Sequence, residues 1–380
     1  MKFSDIVGQE AIKDRLRRSV HENRVSHAQL FMGPEGSGKL SMALAYAQYI
    51  NCLNRNNGDS CGVCTSCLKY EKLIHPDLHF ILPVAKTKEI EDKPLSRLFM
   101  NEWRSIVLER KAVFNVQDWF QVLGLENKQG IINTDDCVEI IHTLSYKSYE
   151  SEYKVMIIWM AERIYHSAAP RILKILEEPP DKTLFLLIAE ESDQILPTIL
   201  SRTQLVKFPR RSDHDLVYGL INHTGCTAEE AARARFIADG NLNAAVKMVE
   251  SGETGQANFE WFRQWMRLCF RKDIREIVKM GAEFLTLGRE RQKNLLSYAM
   301  KTFHHCIQQS AGIQDQVRAE ADELKFVGDF SKFVHSANAH QLYKAFNQAF
   351  YHIERNGYAP AIFLDLSLTT IGLLKVAPPK

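Results

Sequence analysis

The chain has 380 residues, 45% hydrophobic and 25% charged, enough for two or three ordinary domains with a buried core. That composition excludes a disordered or fibrous protein, and no apolar run nears the ~20 residues needed to span a bilayer. A net charge of +2 neither demands nor forbids nucleic acid, so any DNA contact would be a local patch or one shared with other chains.

Met1-Lys2-Phe3-Ser4-Asp5 lacks the apolar stretch of a secretory signal, and the expectation is a cytoplasmic protein without a membrane partner. Residues 29–32 (Q-L-F-M) read as a short buried strand. Gly33-Pro34-Glu35-Gly36-Ser37-Gly38-Lys39-Leu40 follows it and opens an Ala-rich helix over about 40–51. A Walker A phosphate loop requires that context. Gly33, Gly36 and Gly38 would let backbone N–H groups turn toward phosphates, and Lys39 would reach the terminal ones. Leu40 departs from the motif, which needs Ser or Thr there for Mg²⁺. Ser41 comes one residue late, about 100° around the helix. Nucleotide binding is therefore left open at this stage, and Mg²⁺ binding is not expected.

Cys52, Cys61, Cys64 and Cys67 crowd into 16 residues. In a reducing compartment that clustering marks a metal site, not a disulfide framework. Four thiolates at this spacing suit tetrahedral zinc and leave no open coordination position, so the site reads as structural. An iron–sulfur cluster is the competitor, but the C-x3-C-P continuation common to such sites is missing. Cys137, Cys226, Cys269 and Cys306 are scattered and read as small buried apolar residues.

Residues 83–130 carry Trp103, Trp119 and many charges without a clear period, and read as a part-helical insertion with no assignable role. Residues 154–160 (K-V-M-I-I-W-M), 183–189 (T-L-F-L-L-I-A) and 205–208 complete a set of near-continuous apolar strands. Strands of that kind between helices imply a parallel sheet covered on both faces. Where the second strand should end in metal-binding and water-positioning acids, Trp159 and Met160 stand instead. Glu162 lies beyond and is expected to face solvent or open a helix.

After Pro209 the pattern turns helical. Thr227-Ala228-Glu229-Glu230 resembles a capping box, Asp239-Gly240 ends a helix, and a hinge follows at 251–255. From about 258 onward the period is helical and strand signals are nearly absent.

The stretch 161–180 (A-E-R-I-Y-H-S-A-A-P-R-I-L-K-I-L-E-E-P-P) strongly resembles bacterial DNA polymerase III clamp-loader subunits of the gamma and delta-prime type, which are AAA+ proteins. So do 183–187, the run Leu196-Pro197-Thr198-Ile199-Leu200-Ser201-Arg202, the opening Asp5-Ile6-Val7-Gly8-Gln9-Glu10, and His27-Ala28. The resemblance covers about 1–210 apart from 83–130, and more weakly the C-terminal helices. It implies an α/β P-loop domain over 1–208 with a zinc module near 52–67, a helical lid over 209–255, and an all-α collar over 256–380. It also implies that Arg202, beside Ser201, is an arginine finger entering a neighbour's ATP site. Two further family positions are altered: Ala189-Glu190-Glu191 replaces a small hydroxyl sensor, and Gly240-Asn241-Leu242-Asn243-Ala244-Ala245 lacks the lid arginine.

These losses beside a kept Arg202 imply a delta-prime-type subunit that helps load a sliding clamp onto primed DNA without hydrolysing ATP. Its partners would be gamma/tau and delta-type subunits, with the clamp and DNA reached through the complex. The alternative is an active gamma-type ATPase. A zinc-containing DNA-binding module outside replication is a third reading, but it would need neither the Ser-Arg pair nor a long C-terminal helical domain.

Overall fold

The computed structural model describes residues 1–90, 92–125, 130–190, 194–251, 255–311 and 321–377. Glu91 and 126–129 of the tryptophan-bearing segment, Glu191 of the altered sensor and 252–254 of the hinge lie outside the described residues. Five strands form one sheet: β1 Ala28–Met32, β2 Leu78–Ile81, β3 Lys154–Trp159, β4 Thr183–Ala189 and β5 Gln204–Lys207. Their order is β2-β3-β4-β1-β5, and every pair is parallel. Four of these strands match the apolar runs of the sequence to within one residue at either end. β2 was not anticipated, because Leu-His-Phe-Ile is short and broken by His79.

The helices are α1 Glu10–His21, α2 Lys39–Ile50, α3 Thr65–Glu71, α4 Met100–Glu109, α5 Val116–Val122, α6 Thr134–Ser145, α7 Ala169–Glu177 and α8 Pro197–Leu200. Then come α9 Asp213–Thr224, α10 Ala228–Ala238, α11 Leu242–Ser251, α12 Gly255–Arg271, α13 Ile274–Thr286, α14 Arg289–Ser310, α15 Ala321–Phe330, α16 Ala339–Glu354 and α17 Ala359–Leu373. Asp239 and Gly240 both take positive φ and end α10, as the Asp-Gly pair predicts.

Side chains alternate strictly across the sheet. Val155, Ile157 and Trp159 of β3 and Leu184, Leu186 and Ile188 of β4 join one core with α2, α4 and α5. Met156, Ile158, Phe185, Leu187 and Ala189 join a second core with α6 and α7 on the opposite face. Burial on both faces is why these strands read as unbroken apolar runs. Every residue of α2 is buried, so the helix that follows the phosphate loop is fixed along its whole length.

The segment over 83–125 is part helical, as expected, with a 3-10 turn at Ser96–Phe99 followed by α4 and α5. It is integral to the first core: Trp103 and Trp119 are fully buried. The Trp103 ring lies 5.0 Å from Trp159, 5.6 Å from Phe114 and 5.4 Å from Trp119.

Contacts divide the chain into two units, Met1–Ala228 with Ala238–Lys247, and Glu229–Ile237 with Met248–Lys380. The second unit is helical, with no strand among its described residues. Its core is aromatic, built on Phe262, Trp265, Phe303, Phe346 and Phe363. Trp265 keeps its indole N–H satisfied by donating to Ser367 Oγ at 2.8 Å. Among the described residues no helix is long and apolar enough to cross a membrane.

Candidate functional site

The phosphate loop leaves the carboxyl end of β1 between β4 and β5 and enters α2. Open parallel sheets place ligands at such strand ends. A side chain at Gly33 would put its Cβ 2.3 Å from the Phe208 carbonyl oxygen, and one at Gly36, whose φ is +73°, 2.1 Å from Asn241 Oδ1. Only glycine fits at either position.

The loop is tied to the protein rather than left open. Lys39 Nζ donates to the carbonyls of Gly33 and Pro34, each at 2.7 Å, and lies 3.7 Å from Glu190 Oε1. Burial holds the Lys39 ammonium below its ordinary pKa, against the pull of Glu190. Burial also pushes the Glu190 carboxyl up to about 7, with Lys39 opposing. Glu35 accepts from Asn115, Asn241 and Asn243 side chains at 3.3, 3.2 and 2.7 Å. Arg211, itself buried, donates from Nε to Gly36 O at 3.1 Å and from Nη1 to Val7 O.

Arg211 thereby lines two cavities. One, of ≈ 40 Å³, touches Gly36, Gly38, Lys39, Trp159 and Glu190. The other, of ≈ 850 Å³, runs along Val7, Gly8, Lys13, His214 and Tyr218. Small-molecule pockets measure roughly 300–1,000 Å³, and the space against the phosphate loop itself is well below that range. Leu40 and Ser41 are both buried.

At the end of β3, Trp159 and Met160 are also buried. Trp159 is committed to the aromatic cluster with Trp103 and Phe114, and Met160 takes a left-handed φ of 58°. Glu162 opens a 3-10 turn, as one of its two expectations had it, but does not face solvent. Its Oε1 accepts the Glu190 N–H at 2.9 Å, and burial raises its carboxyl pKa.

Ser201 and Arg202 sit elsewhere, after α8 and before the edge strand β5. Gln204 pairs with Gln29 at the amino ends of the strands, whereas the phosphate loop begins four residues later, about 13 Å along the sheet. Arg202 therefore lies at the opposite end of the sheet from the chain's own loop. It is partly exposed, forms an ion pair with Glu177, and donates from Nη1 to Thr198 O at 3.0 Å and Ser201 Oγ at 3.3 Å.

The four clustered cysteines do converge. Their Sγ atoms lie within 4.8 Å of one another, with Cys61 and Cys67 3.9 Å apart. One tetrahedral ion bonded at ~2.3 Å would hold sulfurs about 3.8 Å apart, and a cubane cluster, with four irons between its cysteines, would spread them much farther. Backbone N–H groups point at the sulfurs: Cys61 N at Cys52 Sγ (3.2 Å), Cys64 N at Cys61 Sγ (3.4 Å) and Cys67 N at Cys64 Sγ (3.4 Å). Such donors favour thiolates, and those of Val63 and Cys64 bring the Cys61 thiol down to about 6, whereas burial pushes the Cys52 and Cys67 thiols up in the absence of a cation. The donor set fits a metal ion. Of the other four cysteines, Cys137, Cys269 and Cys306 are buried as expected, whereas Cys226 is only half-buried.

The sequence model of the family described as DNA polymerase III, delta subunit, matches residues 8–212. The chain belongs to this family. Within it, the DNA polymerase III subunit delta' of Bacillus subtilis is 29% identical over 297 residues, covering 73% of this chain and 75% of that protein. The DNA polymerase III subunit gamma/tau of Mycobacterium bovis is 27% identical over 241 residues, covering 63% of this chain and 34% of that protein. The chain thus spans about a third of the length of the gamma/tau relatives it matches. A DNA polymerase III gamma-subunit-related protein of Thermotoga maritima aligns in structure with a TM-score of 0.39 and 15% identity, over 84% of this chain and 99% of that one.

The sequence did not single out three residues of this DNA polymerase III delta-family chain as ties on the loop: Glu35, which lies within it, and Glu190 and Arg211, which lie outside it. Glu190 and the Asn241-Leu242-Asn243 segment registered only as missing sensor groups. Their positive role, an anion on Lys39 and amides on Glu35, joins residues up to 208 positions apart. The one available signal was a carboxylate, Glu35, inside a loop built for anions.

Proposed function

We propose that this chain is the delta-prime-type subunit of a DNA polymerase III clamp loader. In that role it assembles with gamma/tau- and delta-type subunits, helps place a sliding clamp on primed DNA, and presents Arg202 to a neighbour's ATP site without hydrolysing ATP itself. The observation that carries the reading is the state of its own phosphate loop. Lys39 is spent on Gly33, Pro34 and Glu190, while Trp159 and Met160 occupy the positions where Mg²⁺-binding and water-orienting carboxylates belong. An indole in an aromatic cluster can do neither task.

Arg202 supports the second half. It stands away from the chain's own loop, so any phosphate it meets belongs to another chain. A guanidinium supplied by a neighbour stabilises charge spread over a transferring phosphoryl group, and its fork matches phosphate oxygens as an ammonium does not. The ion pair to Glu177 is surface-exposed, and such pairs are worth about 1 kcal/mol or less, so a phosphate displaces it readily. The S–S spacing supports zinc at Cys52, Cys61, Cys64 and Cys67, where it would supply folding free energy and no catalytic position. Support for the lid over 209–255 comes from Asn241 and Asn243 closing on Glu35, and for the collar over 256–380 from its all-helical build.

The test is nucleotide binding and steady-state hydrolysis by the isolated chain, with primed DNA and clamp present. The expected result is no turnover above background and no saturable triphosphate binding in the micromolar range. Turnover that copurifies and scales with this chain would favour the gamma-type ATPase instead.

A further inference from the structure

Residues 53–60 form a loop whose two ends are cysteines of the metal cluster. Cys52 closes one end and Cys61 the other, joined by the Cys61 N–H to Cys52 Sγ contact at 3.2 Å. Between them Asn56 and Asp59 exchange backbone hydrogen bonds at 3.0 and 2.9 Å. Residues 53–57 of this loop are exposed, whereas 58–60 pack against the protein. Asp59 Oδ1 accepts the Phe3 N–H at 3.0 Å and Oδ2 accepts the Ser4 N–H at 2.8 Å. The Gly58 carbonyl accepts from Arg17 Nε at 2.7 Å, and Ser60 Oγ accepts from the buried Gln48 of α2 at 3.0 Å.

The segment gripped this way has little structure of its own beyond the single 3-10 turn Phe3–Asp5. Phe3 is fully buried beside Tyr49, ring centroids 5.3 Å apart, with the Arg17 guanidinium over its other side at 5.4 Å. The same segment walls the ≈ 850 Å³ cavity through Ser4, Ile6, Val7 and Gly8. Val7 O in turn takes the Arg211 Nη1 donor, and Arg211 divides that cavity from the phosphate loop. A continuous set of contacts runs from two metal-ligating cysteines to the residue that plugs the loop.

We propose that the cysteine-bound metal works as the buckle of a strap: it fixes 53–60, and the Gly58-Asp59-Ser60 tip fixes residues 3–8 and the cavity wall they form. The inference rests on the zinc reading above. Charge-assisted hydrogen bonds from two consecutive backbone N–H groups to one carboxylate are the strong kind. They hold only while the carboxylate is held, and an eight-residue loop opened at both feet regains its conformational freedom. Removal of the ion therefore loosens the N-terminal segment first and the sheet last.

Hydrogen exchange read on the intact chain tests this, in three samples: zinc-loaded, chelator-stripped, and Asp59→Ala with all four cysteines kept. The stripped chain and Asp59→Ala should both exchange residues 3–6 about tenfold faster or more, with β1, β3 and β4 unchanged, since local opening is read separately from global unfolding. Equal exchange of 3–6 in all three overturns the strap. Acceleration throughout the sheet also overturns it, because the ion would then hold the whole fold. Elemental analysis keeps the two readings apart. A chain that never binds metal removes the buckle, and Asp59→Ala then decides alone whether the loop tip holds the segment.

Discussion

Glu190 is a carboxylate placed where a nucleotide phosphate would meet Lys39, and its ionisation has a cost that pH exposes. Burial pushes its carboxyl up to about 7 in the folded chain, above the 4.5 of a free glutamate, with Lys39 pulling it back. The folded chain therefore holds an extra proton between those values. Stability from this group is fullest below about 4.5 and is lost as pH climbs toward 7. Glu190→Gln should remove that slope, so that the variant gains on the wild type between pH 5 and pH 8 by an amount of order 1–3 kcal/mol. Denaturant unfolding at the two pH values measures it. A difference that stays constant across them would mean Glu190 is not held in this environment. The residue illustrates what a sequence hides. Glu190 could be read as an absent hydroxyl, but its pairing with Lys39 depends on β1 and β4 being neighbours, and no local spacing encodes that.

At the scale of elements, the segment over 83–125 supplies Trp103 and Trp119 to the cluster that encloses Trp159. Restoring a carboxylate there does not restore an ATPase. Trp159→Asp removes a large buried ring and leaves a charge among aromatics, so the cost should be about 3–5 kcal/mol or more. Thermal unfolding should show that loss, and an ATPase assay should show no gain. A stable Trp159→Asp chain that turns over ATP would contradict the packing account. β1, β3 and β4 were legible because burial on both faces writes itself as an unbroken apolar run, and the cysteine site because its ligands fall within 16 residues. The tryptophan-bearing segment was not, because short helices and loops each contribute one or two side chains to a common centre, and no period results. The location of Arg202 opposite the phosphate loop was likewise unreadable, since it follows from the sheet order and the parallel register of β1 with β5.

For the whole molecule, the proposed role requires assembly. On α13 of the helical unit, Ile274, Val278 and Leu285 are exposed and fall on one helical face. If that stripe meets another subunit, Val278→Asp with Leu285→Asp should leave helix content and unfolding temperature nearly unchanged, yet lower copurification with partner subunits at least several-fold. Unchanged recovery of the complex would place the contact elsewhere. The central claim, that this chain activates a neighbour and does no hydrolysis of its own, is tested most directly by steady-state ATP hydrolysis of the reconstituted complex with primed DNA and clamp, comparing wild type with Arg202→Ala. Removing an arginine finger costs about 10³-fold or more at the site it serves. With several ATP sites in one assembly, the bulk rate should fall by a smaller factor while clamp loading falls further, and Arg202→Lys should not restore either. A fully assembled Arg202→Ala complex that hydrolyses ATP and loads clamps at the wild-type rate would contradict the account.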